Sequence, residues 1–163
     1  MYLTQNLRRG MQQTPEGLIS IFEGRRRTFA ECGDRVARYA GAMQELGLQA
    51  GDRISMLALN SDVYLEYYMG TYWAGGVVNP LNTRLALPEL AFMINDCGSR
   101  ILIIDANFVD AANGLRAQCP QLESVILLGE GPAPAGMLSY ETLLAAAAPV
   151  EDALRGGDDL AGI

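Results

Sequence analysis

Three adjacent arginines, three scattered cysteines and a few single aspartates are the residues of this chain that could do chemistry, and histidine is absent. Without an imidazole there is no His general base, no Ser-His-Asp set and no His metal ligand. Asp96, Asp105 and Asp110 stand near strand or helix ends, and nothing pairs them as acid and base, so they read as caps and solvated charges. Cys32, Cys97 and Cys119 are odd in number and lack Cys-x-x-Cys spacing, which fits neither a disulfide framework nor a zinc site. They read as buried thiols in a reducing compartment, the cytoplasm. Arg25-Arg26-Arg27 follows Gly24 and runs into a helix start, which favours a solvated hairpin arm over a phosphate patch. Neither a Gly-x-x-x-x-Gly-Lys loop nor a strand followed by Gly-x-Gly-x-x-Gly occurs. No catalytic residue and no metal ligand is assigned.

Composition narrows the partners. A net charge of -7 argues against nucleic acid, whose phosphates call for clustered Lys and Arg. A chain of 163 residues closes one core. Half the residues are hydrophobic and 19% charged, against about 25% in an ordinary soluble domain. Alanine enrichment, seen at Ala145 to Ala148, is one explanation; a surface meant to lie against further protein is the other. No apolar run approaches the ~20 residues that span a bilayer. The start, with Gln5, Asn6, Arg8, Arg9 and Gln12, is unlike a signal peptide.

The elements that must position these residues are legible from spacing. Leu18–Phe22 and residues 26–28, separated by Glu23-Gly24, predict a hairpin. Thr28 and Glu31 form a capping box for a helix whose apolar face carries Phe29, Val36, Ala40 and Met43, with Gly47 closing it. Gly51-Asp52 turns the chain into an apolar strand over 53–59. Asn60 or Ser61 can cap a helix over 62–74, whose Tyr64, Tyr67, Tyr68, Tyr72 and Trp73 leave little polar surface; this predicts a largely buried element with core aromatics rather than a ligand-stacking face. A short strand at Val77-Val78 is stopped by Pro80. Pro88 and Glu89 open a helix that Gly98 closes. Apolar strands follow at 101–104 and 124–128, with a weaker helix over 107–118 between them, and Ser139 caps a last helix to 148. Glu151, Asp152, Asp158 and Asp159 read as an exposed linker. Buried strands alternating with helices predict an α/β fold, a layered and largely parallel sheet with flanking helices, dividing into a subdomain over 1–150 and an acidic linker over 151–163.

The stretch Gly51 to Arg84 resembles the N-terminal region of the adenylate-forming (AMP-binding) acyl-CoA synthetases, or fatty-acid–CoA ligases. The resemblance rests on Gly51-Asp52-Arg53, Asn60-Ser61, Ala74-Gly75-Gly76 and Val77 to Asn82, in that order and spacing. Thr28-Phe29-Ala30-Glu31 is similar to the Thr-Tyr-x-Glu-Leu start of that family's first long helix. Leu87 to Asp96 and Ser99 to Asp105 are similar to its Pro-Glu-Glu-Leu helix and the strand after it. Coverage runs from about residue 18 to the end.

The resemblance implies the N-terminal part of the large domain of an enzyme that joins a carboxylic acid, a fatty acid, to ATP with Mg²⁺ and passes the acyl group to coenzyme A. Its Thr/Ser-Gly-Thr-Thr-Gly loop, Thr-Glu pair, ribose Asp and mobile Lys do not occur here, and by position would follow Ile163. Residues 151–163 are therefore expected to lead to the ATP-binding loop, and this polypeptide alone to be inactive. The resemblance also maps Asn79, Pro80, Leu81 and Asn82 onto the border of the pantetheine channel. Beside it stands a plainer reading, in which this segment is a turn whose amides satisfy the local backbone. Asp110 and Asn113 lie where some members place arginines against the coenzyme A phosphate, which weakens the case for that acceptor. An adenylation enzyme loading a carrier protein and a short non-catalytic interaction module are the alternatives. The partners implied are the acid, ATP, coenzyme A and the remainder of its own polypeptide, with a homodimer as one assembly.

Overall fold

Each chain reversal is built from local chemistry the sequence displays. The computed structural model describes residues 1–163 throughout. A helix, α1 (Gln5–Gln13), precedes a hairpin of β1 (Leu18–Phe22) and β2 (Arg25–Thr28). Glu23 and Gly24 join the strands with φ of 48° and 82°, the positive values that a two-residue hairpin turn requires and that glycine supplies without strain. Helix α2 (Phe29–Glu45) starts at the expected capping box: the Glu31 amide donates to Thr28 Oγ1 at 3.2 Å, and the Thr28 amide donates to Glu31 Oε2 at 2.8 Å.

Five parallel strands follow: β3 (Arg53–Leu57), β4 (Val77–Pro80), β5 (Ile101–Ile104), β6 (Ser124–Leu127) and β7 (Leu138–Ser139), in the spatial order β4-β3-β5-β6-β7. Helix α3 (Asp62–Trp73) links β3 to β4, α4 (Leu87–Cys97) links β4 to β5, α5 (Val109–Gln118) links β5 to β6, and α6 (Tyr140–Ala146) follows β7. From β3 the chain moves outward to β4, then returns past β3 to β5. Strand order therefore reverses between β3 and β5, and the loops leaving their carboxyl ends diverge there, at the switch point where doubly wound sheets bind ligands.

Alternating side chains supply two cores. Ile54, Met56, Ile101, Ile103 and Ile126 face a layer containing α2, α3 and α6. Leu57, Leu102, Ile104 and Val125 face α4 and α5. Cover on both sides is the reason these strands read as unbroken apolar runs. No helix is long and apolar enough to cross a membrane.

The structure corrects several expectations. Strand β3 stops at Leu57, and Leu59 is exposed. Ser61 occupies the N-cap position of α3 but makes no side-chain cap. Helix α1 was not expected, although its nine residues are amphipathic: Leu7 and Gly10 are buried and Met11 packs against the larger core, at the i, i+3, i+4 spacing of one helix face. The acidic segment is not a free linker. Asp152 is buried, and the Ala153 amide donates to the Trp73 carbonyl at 3.0 Å. Gly162 lies parallel to Val78 along the edge of β4. Glu151, Asp158 and Asp159 are exposed as expected.

Candidate functional site

Asn79 to Asn82 leaves the carboxyl end of β4, beside β3. Proline cannot donate to a ladder, and β4 ends at Pro80; the Leu81 amide then donates to the Met56 carbonyl at 2.8 Å. Asn79 points inward. Its Nδ2 donates to Ser55 Oγ at 2.9 Å and to Cys97 Sγ at 3.1 Å, and its amide donates to Tyr67 Oη at 2.8 Å. Tyr67 Oη in turn donates to the Ile54 carbonyl at 2.7 Å, Ser55 Oγ to Ser99 Oγ at 2.8 Å, and Ser99 Oγ to the Arg53 carbonyl at 2.9 Å. Asn79, Ser55, Ser99, Tyr67 and Cys97 are all buried, and the donors of this chain of bonds each have an acceptor, which is the condition for keeping them in an apolar layer. Leu81 is also buried, packed with Leu57, Leu90 and Ile94. Pro80 is half-buried and Asn82 exposed. Asn82 Oδ1 accepts from the Arg84 amide at 3.0 Å, a local side-chain turn of the kind Asn favours. Pro80 and Asn82 thus present surface, while Asn79 and Leu81 fix the turn from behind.

At the switch point Asp105 ties two loops together. Its Oδ2 accepts from the Leu59 amide at 2.6 Å, and its Oδ1 accepts from the amide and Nδ2 of Asn107 at 2.7 and 2.9 Å. The expected cap is present, and it also bridges the loops after β3 and β5.

The most charged part of the molecule was not legible in the sequence. Asp62 and Glu66, one turn apart on α3, are buried and face arginines from other elements. Arg25 donates to both oxygens of Asp62 at 2.7 Å through Nε and one terminal nitrogen. Arg27 Nε lies 3.1 Å from Glu66 Oε1 as an ion pair without hydrogen-bond alignment. Arg35 on α2 donates to both Glu66 oxygens at 2.7 and 2.9 Å and to both Glu141 oxygens at 2.7 and 2.9 Å. Tyr140 Oη completes the cluster by donating to Glu66 Oε2 at 2.9 Å. The arginine run is therefore not a free arm: Arg25, itself exposed, and the half-buried Arg27 pin the hairpin to α3, and Arg26 is exposed and makes no ion pair. Strand alternation puts residues 25 and 27 on one side, which was the one sequence signal available.

These pairings fix the titration of the cluster. Burial pushes the Asp62 carboxyl up, but the Arg25 fork, with the charges of Arg25 and Arg27, outweighs it and holds the group below the usual carboxylate range. Glu141 is likewise held low, chiefly by its hydrogen bonds from Arg35. Burial raises the Tyr140 phenol well above its ordinary value, with the Glu66 charge adding to the effect. An open cavity of about 460 Å³ beside the cluster is lined by Arg25, Arg27, Val63, Gly129, Glu130 and Glu141. Its guanidiniums are already committed to carboxylates, so it does not fit a nucleotide's phosphates. No group of three or more His, Cys, Asp or Glu is placed to hold a metal. All three cysteines are free and buried; burial pushes the Cys32 thiol up to about 12 and raises that of Cys119, which leaves neither as a thiolate nucleophile.

Comparison with known proteins gives this geometry a context. The family model described as AMP-binding enzyme matches residues 7–163. A long-chain-fatty-acid–CoA ligase of Thermus thermophilus is 31% identical over 122 residues, covering 75% of this chain and 22% of that protein. The fatty acid–[acyl-carrier-protein] ligase ScoC of Streptomyces coeruleorubidus is 32% identical over 119 residues, covering 73% and 22%. The crystal structure of the anthranilate CoA ligase AuaEII in complex with anthranoyl-AMP matches with a TM-score of 0.92 at 24% identity, over 99% of this chain and 31% of that one. That likeness concerns the fold alone. The matched region spans 22% of the length of both sequence relatives.

Proposed function

The chain belongs to the AMP-binding enzyme family, and from that premise we propose that the protein carrying it is an ATP-dependent acyl-CoA synthetase acting on a fatty acid. The observation that supports this most is the family match running unbroken from residue 7 to residue 163. The proposed chemistry is a change of leaving group. A carboxylate resists attack by a thiol, whereas its mixed anhydride with AMP reacts readily once charge is neutralised and water excluded. Pyrophosphate leaves in the first half-reaction and AMP in the second, when the coenzyme A thiol takes the acyl group.

In this reading the nucleotide and Mg²⁺ are held by residues outside the chain, because nothing within it fits them. The chain's own contribution is the sheet on which that site is mounted and, at the carboxyl end of β4, one border of the thiol's route. Pro80 and Asn82 form that border, with Asn79 and Leu81 holding the turn in place. The acceptor has a second reading, a carrier protein, favoured by the likeness to ScoC and by Asp110 and Asn113 standing where arginines would meet a coenzyme A phosphate. Three unpaired cysteines support a cytoplasmic setting, and a homodimer is an assembly open to the full enzyme.

Thioester formation tests the acceptor directly. A protein containing this chain, supplied with ATP, Mg²⁺ and a series of fatty acids, is expected to convert coenzyme A to acyl-CoA with release of AMP. Acyl transfer only to a phosphopantetheinylated carrier protein, with free coenzyme A inert, would replace the first reading with the second.

A further inference from the structure

Thr4 stands at the N-cap of α1, where a threonine hydroxyl ordinarily accepts from an amide of the first turn. Here it makes no such bond. It donates instead to Asp152 Oδ2 at 2.6 Å, across 148 residues of sequence, and both residues are buried. Arg8, one turn further along α1, donates to the same oxygen at 3.2 Å and lies 5.9 Å over the ring of Trp73. Asp152 Oδ1 accepts from the Leu154 amide at 2.9 Å. A carboxylate this deeply buried requires such partners, so Thr4 and Arg8 are conditions for Asp152 being where it is.

The segment around Asp152 is gripped from other sides as well. Trp73 Nε1 donates to the Val150 carbonyl at 2.8 Å, and the Leu3 amide donates to the Arg155 carbonyl at 2.9 Å. Tyr2 and Gly156 pair antiparallel, so closely that a Cβ at position 156 would lie 2.3 Å from the Met1 carbonyl oxygen. Leu154 has a φ of 54°, a left-handed conformation costly for a branched side chain, which persists only where surrounding contacts impose it. Beyond this point the chain runs to the edge of β4. The Val78 amide donates to the Ala161 carbonyl and the Ile163 amide to the Val78 carbonyl, both at 3.0 Å, one residue before Asn79.

We propose that α1 and the buried carboxylate of Asp152 form a strap that seats residues 153–163 along the outer edge of β4, with Asp152 as its positioning residue. The diverted N-cap hydroxyl, the imposed backbone at Leu154 and the pairing at Val78 belong to one connected path from α1 to the residue preceding the candidate site. Opening the strap at Thr4 releases the far end of that path without disturbing β5 or β6, which it does not touch.

Amide hydrogen exchange resolved by segment tests this, with emission from Trp73, the sole tryptophan of the chain, as a spectroscopic companion. Thr4→Val keeps the shape and removes the hydroxyl; Thr4→Ser keeps the hydroxyl. Thr4→Val is expected to accelerate exchange in residues 2–4 and 153–163 by about tenfold or more, the scale of one lost buried hydrogen bond, and to shift Trp73 emission to the red. Thr4→Ser is expected to match the wild type in both readouts. Arg8→Met, at a partly exposed position, is expected to accelerate the same two segments by a smaller factor. Unchanged exchange at 153–163 in Thr4→Val and Arg8→Met would overturn the strap. So would acceleration spread equally into β5 and β6, since that is general destabilisation rather than release of one path.

Discussion

Asn79 and Asn82 do opposite work within one short turn. Asn79 is consumed by the interior, bonded to Ser55 and Cys97, which are 24 and 18 residues away in sequence. Replacing it with leucine keeps the volume and removes the donors, so unfolding in urea is expected to show a loss of about 1–3 kcal/mol, the cost of leaving buried polar partners unmatched. Asn82 faces solvent and is the position at which a channel border can be probed without touching the core. In an enzyme containing this chain, Asn82→Trp is expected to raise the KM for coenzyme A or slow thioester formation, leaving pyrophosphate exchange and the melting temperature near wild type. Leu81→Trp serves as contrast: overpacking there is expected to cost about 1–3 kcal/mol and to lower both half-reactions together. Wild-type thioester formation by Asn82→Trp would remove the channel assignment. The Asn-Pro-Leu-Asn string announced a turn after a strand, but which side chains turn inward depends on partners that no local pattern reveals.

Helix α3 shows how a pattern can be right about burial and blind to the charges that are buried with it. Its aromatic residues predicted an element apolar almost all round. In the structure Tyr64, Tyr68 and Tyr72 form a half-buried stripe with neighbouring ring centroids 6.1 and 6.3 Å apart, while the carboxylates Asp62 and Glu66 are buried. Charges go inside only where opposite charges meet them, and here the arginines come from β2 and α2. By contrast the capping box that starts α2 was fully legible, because both of its members lie within one turn. Two expectations follow for this layer. Glu66→Leu leaves Arg27 and Arg35 facing a vanished charge and should cost about 3–5 kcal/mol, read from the shift in the denaturation midpoint. Asp62 and Glu141 are both held below the ordinary carboxylate value of about 4, so the folded state binds fewer protons than the unfolded chain in that range. Their contribution is complete above that value and is lost as pH falls through the lower folded-state values. These two carboxylates therefore predict stability that is flat from about pH 5 to about pH 8 and declines steadily below that window, and Glu141→Gln should make the acid decline shallower. A slope unchanged in that variant would show that Glu141 does not contribute to it.

For the whole molecule, alternation of apolar strands and helices was enough to specify a parallel sheet covered on both faces. The docking of α1 and of residues 151–163 was not read from the sequence: the short apolar face of α1, Leu7 and Met11, was overlooked among polar residues, and the two segments are tied by hydrogen bonds between partners far apart in the chain. The surface carries its own message. Ile21, Leu59 and Phe92 are 61%, 54% and 68% exposed, and the tyrosine stripe of α3 is only half covered. The matched region spans 22% of the length of the sequence relatives, and we propose that this apolar surface lies against the remainder of such an enzyme. Taken alone, the 163-residue chain is expected to bind hydrophobic dyes and self-associate; a monodisperse monomer melting cooperatively without dye signal would contradict that. The most direct measurement is carboxylate-dependent exchange of labelled pyrophosphate into ATP, comparing this chain with a protein in which the remaining length of its relatives follows it. Exchange that depends on added fatty acid in the longer protein, and none in the chain alone, is the expected result. Exchange by the chain alone, or its absence from the longer protein across a full series of carboxylic acids, would contradict the assignment of this chain as the scaffold of an acid-activating enzyme.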